Sequence, residues 1–213
     1  REGDEVSVYY DPMIAKLIVW DQSRERALSR MSGALLDFRV AGMKTNTSFL
    51  KRLVDHSAFR QADLDTGFID KHQSELFPPQ DGKAQEHRNI AIAALYILLL
   101  QQQSRAAEAV TSNDPHSPWY SLSGWRMNES NLQRLVLTIP DSELPNIEVK
   151  AELTDDGYVL RLAAEKILAS GRLEGDQLIA NLNGHQSTVG VVETEGNITL
   201  FSEQGVCEYL WYR

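Results

Sequence analysis

From Leu132 onward, apolar and polar residues alternate. The clearest stretch is "NIEVKAELT", where Ile147, Val149, Ala151 and Leu153 interleave with Glu148, Lys150, Glu152 and Thr154. A period of two buries one face of a strand and wets the other. Eight such segments follow one another, at roughly 132–139, 146–154, 157–164, 165–173, 177–182, 185–193, 197–202 and 206–212. Gly157, Gly175, Gly184, Gly196 and Gly205 mark turns, several preceded by Asp, Asn or Glu. Turns this tight join antiparallel neighbours. Ahead of the strands, Ala84 to about Glu108 predicts a helix of roughly 25 residues whose middle, "IAIAALYILLL", is apolar on every side. A helix without a polar face has to be surrounded. An up-and-down antiparallel sheet curled around it meets both requirements. Because an eight-stranded barrel normally has room only for side chains or a small ligand, this one is expected to be flattened, splayed or incompletely closed.

The first third of the chain has a different pattern. Met13 to Trp20 is short, apolar and rich in Ile and Leu, which predicts a buried strand with a bend at Pro12. Asp21 or Ser23 caps a helix whose inward face carries Leu28, Met31 and Leu35. "FRVAG" predicts a brief strand ended by Gly42. Thr45 or Asn46 caps a second helix, with Phe49, Leu50, Leu53 and Val54 inward, and "DTGFID" follows a turn. The polar, proline-bearing stretch "FPPQDGKAQEHR" separates the two halves. The resulting division is an α+β piece over 1–77, a linker over 78–83, and a helix-in-barrel domain over 84–213.

Composition narrows the possibilities. The 213 residues carry a net charge of −9, which argues against a nucleic-acid phosphate backbone as partner. No basic run suggests a membrane surface, and the apolar run Ile90 to Leu100 is about half the roughly 20 residues a membrane-spanning helix needs. Cys207 is the single cysteine, so no internal disulfide forms, and a lone thiol suits a reducing compartment. The N-terminal "REGDEVSVYY" has no initiator Met and no apolar signal core, and reads as cut from something larger. The Asn-x-Ser/Thr triplets at Asn46, Asn128 and Asn197 are then attributable to chance.

Candidate chemistry is sparse. The histidines, His56, His72, His87, His116 and His185, include no pair at the spacing of a helical metal site, so no metal is expected. Gly-rich phosphate loops and nucleophile elbows are absent from the sequence. Asp155 and Asp156 resemble a carboxylate pair but precede Gly157, as turn residues do. Lys44, in "GMKT", shares a Met–Lys pair with biotinyl-lysine motifs. Thr45 replaces the second methionine, however, and the flanks predict strand then helix, so it reads as a loop lysine. Trp119 and Trp125, in "DPHSPWYSLSGWRMN", either cap the open end of the barrel or form a contact surface for a partner.

Taken together, "YYDPMIAKLIVW", "RALSRM…AL", "TNTSFLKRLVDHSAF" and "DTGFI" closely resemble the C-terminal end of a biotin carboxylase domain, over residues 1 to about 77. Beyond the linker, "SPW…GWRMN" and the helix-then-strands order resemble the linking (BT) domain found in alpha subunits of 3-methylcrotonyl-CoA carboxylase and its relatives. The resemblance implies the end of an ATP-grasp domain, followed by an eight-stranded antiparallel barrel around a long helix. It implies an intact subunit that uses ATP, magnesium and bicarbonate to carboxylate biotin on a carrier domain. A carboxyltransferase beta subunit then passes the carboxyl group to an acyl-CoA. The nucleotide, metal and bicarbonate ligands of such an enzyme would lie upstream of this segment and the biotinyl lysine downstream. The segment itself is therefore expected to be inert, to bind no cofactor alone, and to serve assembly. By the same resemblance Phe68 and Ile69 border the adenine pocket, and Asp11 stands behind the biotin-side arginine. The compartment would be the cytoplasm in a bacterium and the mitochondrial matrix in a eukaryote. The competing interpretation is a non-catalytic barrel that binds a small apolar molecule. What fills the lumen separates the two.

Overall fold

The computed structural model describes residues 9, 13–77, 83–111, 132–140, 146–202 and 205–211. The chain divides into two compact units, Arg1–Phe38 with Asn46–Phe77, and Arg39–Thr45 with Pro78–Arg213.

The first unit is helical in its described part: α1 (Arg24–Asp37), α2 (Thr47–Asp55), and the single turns α3 (Ser57–Arg60), α4 (Phe68–Lys71) and α5 (Gln73–Leu76). Of the two caps proposed for α1, Ser23 serves, its hydroxyl accepting from the Arg26 amide at 3.3 Å. Asp21 instead pairs with Arg26 and Arg30 on the first turns of the helix, at 3.1 and 3.0 Å. Leu28 and Leu35 are buried against Val54 of α2, with Met31, Leu50, Leu17 and Phe59 packed around them. The spacing of three and four on α1 is thus the spacing of its buried face.

The strand expected over Met13–Trp20 does not form. These residues adopt neither helix nor strand, and Ile14, Ile18 and Trp20 are exposed, Ile18 at 77%. A strand exists only through hydrogen bonds to a neighbour, and none of the strands among the described residues pairs with this segment. What survives is the alternation: Leu17 and Val19 are half-buried while Lys16, Ile18 and Trp20 face out. The same reasoning corrects "FRVAG". Phe38 caps the C-terminus of α1 and residues 39–42 stay irregular.

The second unit is an antiparallel closed barrel around a helix. The strands are β1 (Leu132–Thr138), β2 (Ile147–Thr154), β3 (Gly157–Leu162), β4 (Glu165–Glu174), β5 (Gln177–Leu182), β6 (His185–Thr194), β7 (Asn197–Ser202) and β8 (Gly205–Trp211), each paired to the next. Between β1 and β8 only Leu137↔Trp211 and Thr138↔Leu210 pair among the described residues, whereas β4 and β5 match in six places from Ala169↔Leu182 to Glu174↔Gln177. The barrel closes between β1 and β8.

The connection between β5 and β6 is Asn183-Gly184, both at positive φ, as a two-residue turn of the primed kind requires. The β3–β4 connection, Ala163-Ala164, puts Ala163 at φ 51° without glycine or asparagine, which is why the sequence carries no turn signal there.

Helix α6 (Lys83–Thr111) supplies the barrel core. Ile90 to Leu95, Ile97 and Leu98 are each at most 2% exposed, and they lie in one cluster with Leu135, Leu137, Val149, Leu160, Leu178, Ile198 and Trp211 from the strands. Each fully buried aliphatic side chain contributes about 1.5–3 kcal/mol relative to exposure, so the mid-helix alone outweighs its poor amphipathicity.

Candidate functional site

Two places hold side chains that sequence reasoning singled out or missed. The first is the junction of the short helices in the first unit. Phe68, which opens α4, is 7% exposed. Its ring is met edge-on by His56 at 5.4 Å and by Phe59 at 6.1 Å, and at a tilt by His72 at 4.8 Å. Ile69, one residue on, turns outward and is 47% exposed. Of the pair assigned to an adenine pocket edge, Ile69 therefore offers a free apolar face and Phe68 anchors it from within.

His56 lies between α2 and α3, and His72 between α4 and α5. Their rings stand 4.3 Å apart. His56 Nε2 lies 3.1 Å from Glu75 Oε2, and His72 Nδ1 lies 3.9 Å from Glu75 Oε1. The His56 side chain is 7% exposed, and its Nδ1 is buried with no hydrogen-bonding partner. Sequence reasoning missed this grouping. His72 and Glu75 sit at i, i+3, a readable signal, but His56 reaches them only through the packing of separate helical turns.

The second place is the lumen of the barrel, which α6 occupies. Polar contacts set the depth and rotation of the helix. The Asn89 amide donates to Cys207 Sγ at 3.1 Å, the Tyr96 hydroxyl reaches Glu193 at 3.3 Å, Gln133 donates to Gln101, and the Tyr158 hydroxyl reaches Gln102 at 3.4 Å. Burial, reinforced by the nearby Cys207 and Glu86, pushes the Tyr209 hydroxyl well above the usual tyrosine range. Burial also raises the Cys207 thiol, against the lowering effect of the Asn89 hydrogen bond. A raised thiol is a poor nucleophile, so Cys207 is a packing residue. The helix takes the space a lumenal ligand would need. A shallow polar cleft of about 290 Å³ lies instead on the β4–β6 wall, lined by Ser170, Gly171, Arg172, Ile179, Asn181 and Gln186. Among the described residues, no helix is long and apolar enough to cross a membrane.

Asp11, Trp119 and Trp125 lie outside the described residues. Lys44 is exposed in an irregular stretch between α1 and α2 and is not itself part of a hairpin. That removes the structural context a biotinyl-lysine motif would need.

Comparison with known proteins bears on both units. Residues 1–71 match the biotin carboxylase C-terminal domain, and residues 86–209 match the BT domain of the methylcrotonyl-CoA carboxylase alpha subunit. The mitochondrial methylcrotonoyl-CoA carboxylase subunit alpha of Dictyostelium discoideum is 46% identical over 95% of this chain and 30% of its own length. The Rattus norvegicus protein of the same name is 32% identical over 98% of this chain and 29% of its own. The propionyl-CoA carboxylase alpha chain of Ruegeria pomeroyi is 41% identical over 44% of this chain and 14% of its own. The chain thus spans about 30% of the length of the first two of these relatives. A long apolar helix sheathed by an eight-stranded meander, over the residues that match the BT domain, leaves one conclusion: the chain belongs to the methylcrotonyl-CoA carboxylase alpha-subunit family, joining the end of a biotin carboxylase domain to a BT domain.

Proposed function

We propose that this chain is the assembly segment of the alpha subunit of a biotin-dependent acyl-CoA carboxylase. In the intact enzyme, ATP, magnesium and bicarbonate would carboxylate biotin on a carrier domain, and a carboxyltransferase beta subunit would pass the carboxyl group to the acyl-CoA. The division into 1–77, 78–83 and 84–213 is supported by the two matched regions, which flank the linker. The observation that carries the proposal is the occupied lumen. A barrel whose interior is filled by its own helix has its outer surface and loops left for recognition, which suits a module that binds protein rather than a small apolar molecule.

No chemical step is assigned to the described residues. Ile69, held by the buried Phe68, is proposed as an apolar edge for adenine in the intact subunit. Asp11 is proposed as an orienting carboxylate near biotin, and Trp119 and Trp125 as partner contacts. Relatives from eukaryotes carry mitochondrial names, which supports the matrix as the compartment in a eukaryote and the cytoplasm in a bacterium.

The test is capture of a methylcrotonyl-CoA carboxylase beta subunit by the 213-residue chain in the absence of ATP. Association is expected. A folded chain that captures no beta subunit overturns the assembly role, and bicarbonate-dependent ATP hydrolysis by this chain alone overturns its inertness.

A further inference from the structure

We propose that His56, His72 and Glu75 form a binding site for a divalent transition-metal cation of the zinc class. Each residue offers one ligand atom, and the three atoms lie within 4.8 Å of one another. Two imidazoles and a carboxylate are a donor set that suits Zn²⁺, with a fourth position left for water. Ligand atoms held about 2.0–2.2 Å from a zinc ion stand somewhat more than 3 Å apart. His56 Nε2 lies 3.1 Å from Glu75 Oε2 and His72 Nδ1 lies 3.9 Å from Glu75 Oε1, so the two rings face different oxygens and must close on one of them to hold an ion.

A second observation sets this group apart from an ordinary ion pair. The His56 ring is almost wholly buried, yet its Nδ1 has no hydrogen-bonding partner. The ring nitrogen facing Glu75 is Nε2, so coordination would use the Nε2 lone pair and place the ring proton on Nδ1.

Access and charge agree. Glu75 is 67% exposed on its side chain and His72 is 28% exposed, so one flank is open to solvent while His56 forms the floor. The neighbouring cations are engaged elsewhere: Lys71 with Asp65, Arg60 and Lys51 with Asp55, and Arg52 with the Leu76 carbonyl. None of these contacts uses the Glu75 carboxylate. A bound ion would tie the α2–α3 junction to the α4–α5 junction and so fix the floor beneath Phe68. This site is independent of the assembly role proposed above and stands or falls separately.

The test is equilibrium dialysis of the untagged 213-residue chain against Zn²⁺ alone, with the thermal midpoint read in parallel. One ion per chain is expected, with a rise in the midpoint. His72→Gln and Glu75→Gln should each weaken binding at least about tenfold, an effect of the size seen when groups that support a metal site are removed. Circular dichroism should be unchanged for both, since neither side chain is in the buried core. His185→Gln and His87→Gln, made in other parts of the chain, should bind as the parent does. Failure to bind one ion, parental affinity in either cluster variant, or loss of binding in either control overturns the site.

Discussion

Leu95→Ala is the most direct probe of the barrel's construction. Leu95 is fully buried, and its Cδ2 would lie 3.3 Å from a Cβ placed on Gly171. Truncation removes atoms worth about 0.8 kcal/mol for each buried CH₂. It also leaves a cavity, which costs more the less the site can collapse. Here collapse is restricted, because the lumen wall is a continuous hydrogen-bonded sheet and the helix is pinned along its length by Asn89, Tyr96 and Gln101. The expected loss is therefore in the upper part of the usual 2–5 kcal/mol, about 3–5 kcal/mol. Urea unfolding followed by circular dichroism in the β band measures it. With a slope of about 1–3 kcal/mol per molar urea, the midpoint should fall by more than about 1 M. Ile18→Ala, at a side chain 77% exposed, is the reference and should stay within about 0.5 kcal/mol of the parent. Equal effects at the two positions, or a Leu95→Ala midpoint within error of the parent, would refute the claim that the helix is the sealed core of the barrel.

Three further outcomes follow from the same geometry. Gly171→Val should cost about 1–3 kcal/mol, because a side chain there presses on the Ile179 carbonyl and on Leu95; calorimetry reads it as a fall in the melting temperature. Alkaline pH should destabilise the barrel. Cys207 and Tyr209 have folded-state pKa values raised by burial, so the stability they confer is complete below their unfolded values, near pH 9 and 10, and is lost as pH rises above these. Urea midpoints from pH 7 to 11 test the trend, which Tyr209→Phe should flatten, and Cys207 should alkylate slowly until the chain is unfolded. Amide hydrogen exchange should be fastest, among the strand pairs, at the β1–β8 seam, where two residue pairs are seen among the described residues; slower exchange there than at β4–β5 would contradict the reading of the seam as the weak edge.

The barrel was legible because its signals are local. Period-two alternation and turn spacing place all eight strand starts within one residue of those of β1–β8 without reference to anything distant, and the helix declares itself by having no polar face. The β3–β4 turn is the instructive exception: its boundary fell in the right region by spacing alone, since Ala163 carries a strained φ that no residue type announces. The first unit was legible only in its helices. Leu28, Leu35 and Val54 fall on the buried faces their spacing predicts, but Met13–Trp20 carries strand-forming residues with which no strand among the described residues pairs. Composition describes what a segment can do, and pairing decides what it does. The His56–His72–Glu75 group was hidden for a related reason. His56 is distant in sequence from His72 and Glu75 and meets them only because short helical turns fold back on one another.

How an eight-stranded barrel holds a helix is answered by the small residues, and they come from both partners. A helix with ordinary side chains is about 10–12 Å across, too wide for a lumen that side chains alone normally fill. Helix α6 is slimmed at Ala91, Ala93 and Ala94, all essentially unexposed. The wall is hollowed to match at Ala151, Ala169 and Ala180, and at Gly171, which faces Ala180 across the β4–β5 pair. The backbone of the wall therefore approaches the helix most closely at β4 and β5, while larger residues such as Leu135, Leu137 and Trp211 fill the side toward β1 and β8. Large side chains on that side do not shorten the pairing, since β1 matches β2 and β7 matches β8 in six places each. The sequence leads to the expectation of a flattened, splayed or incompletely closed barrel; the barrel is closed, and alanine and glycine on helix and wall, with large aliphatic residues opposite, let the two fit.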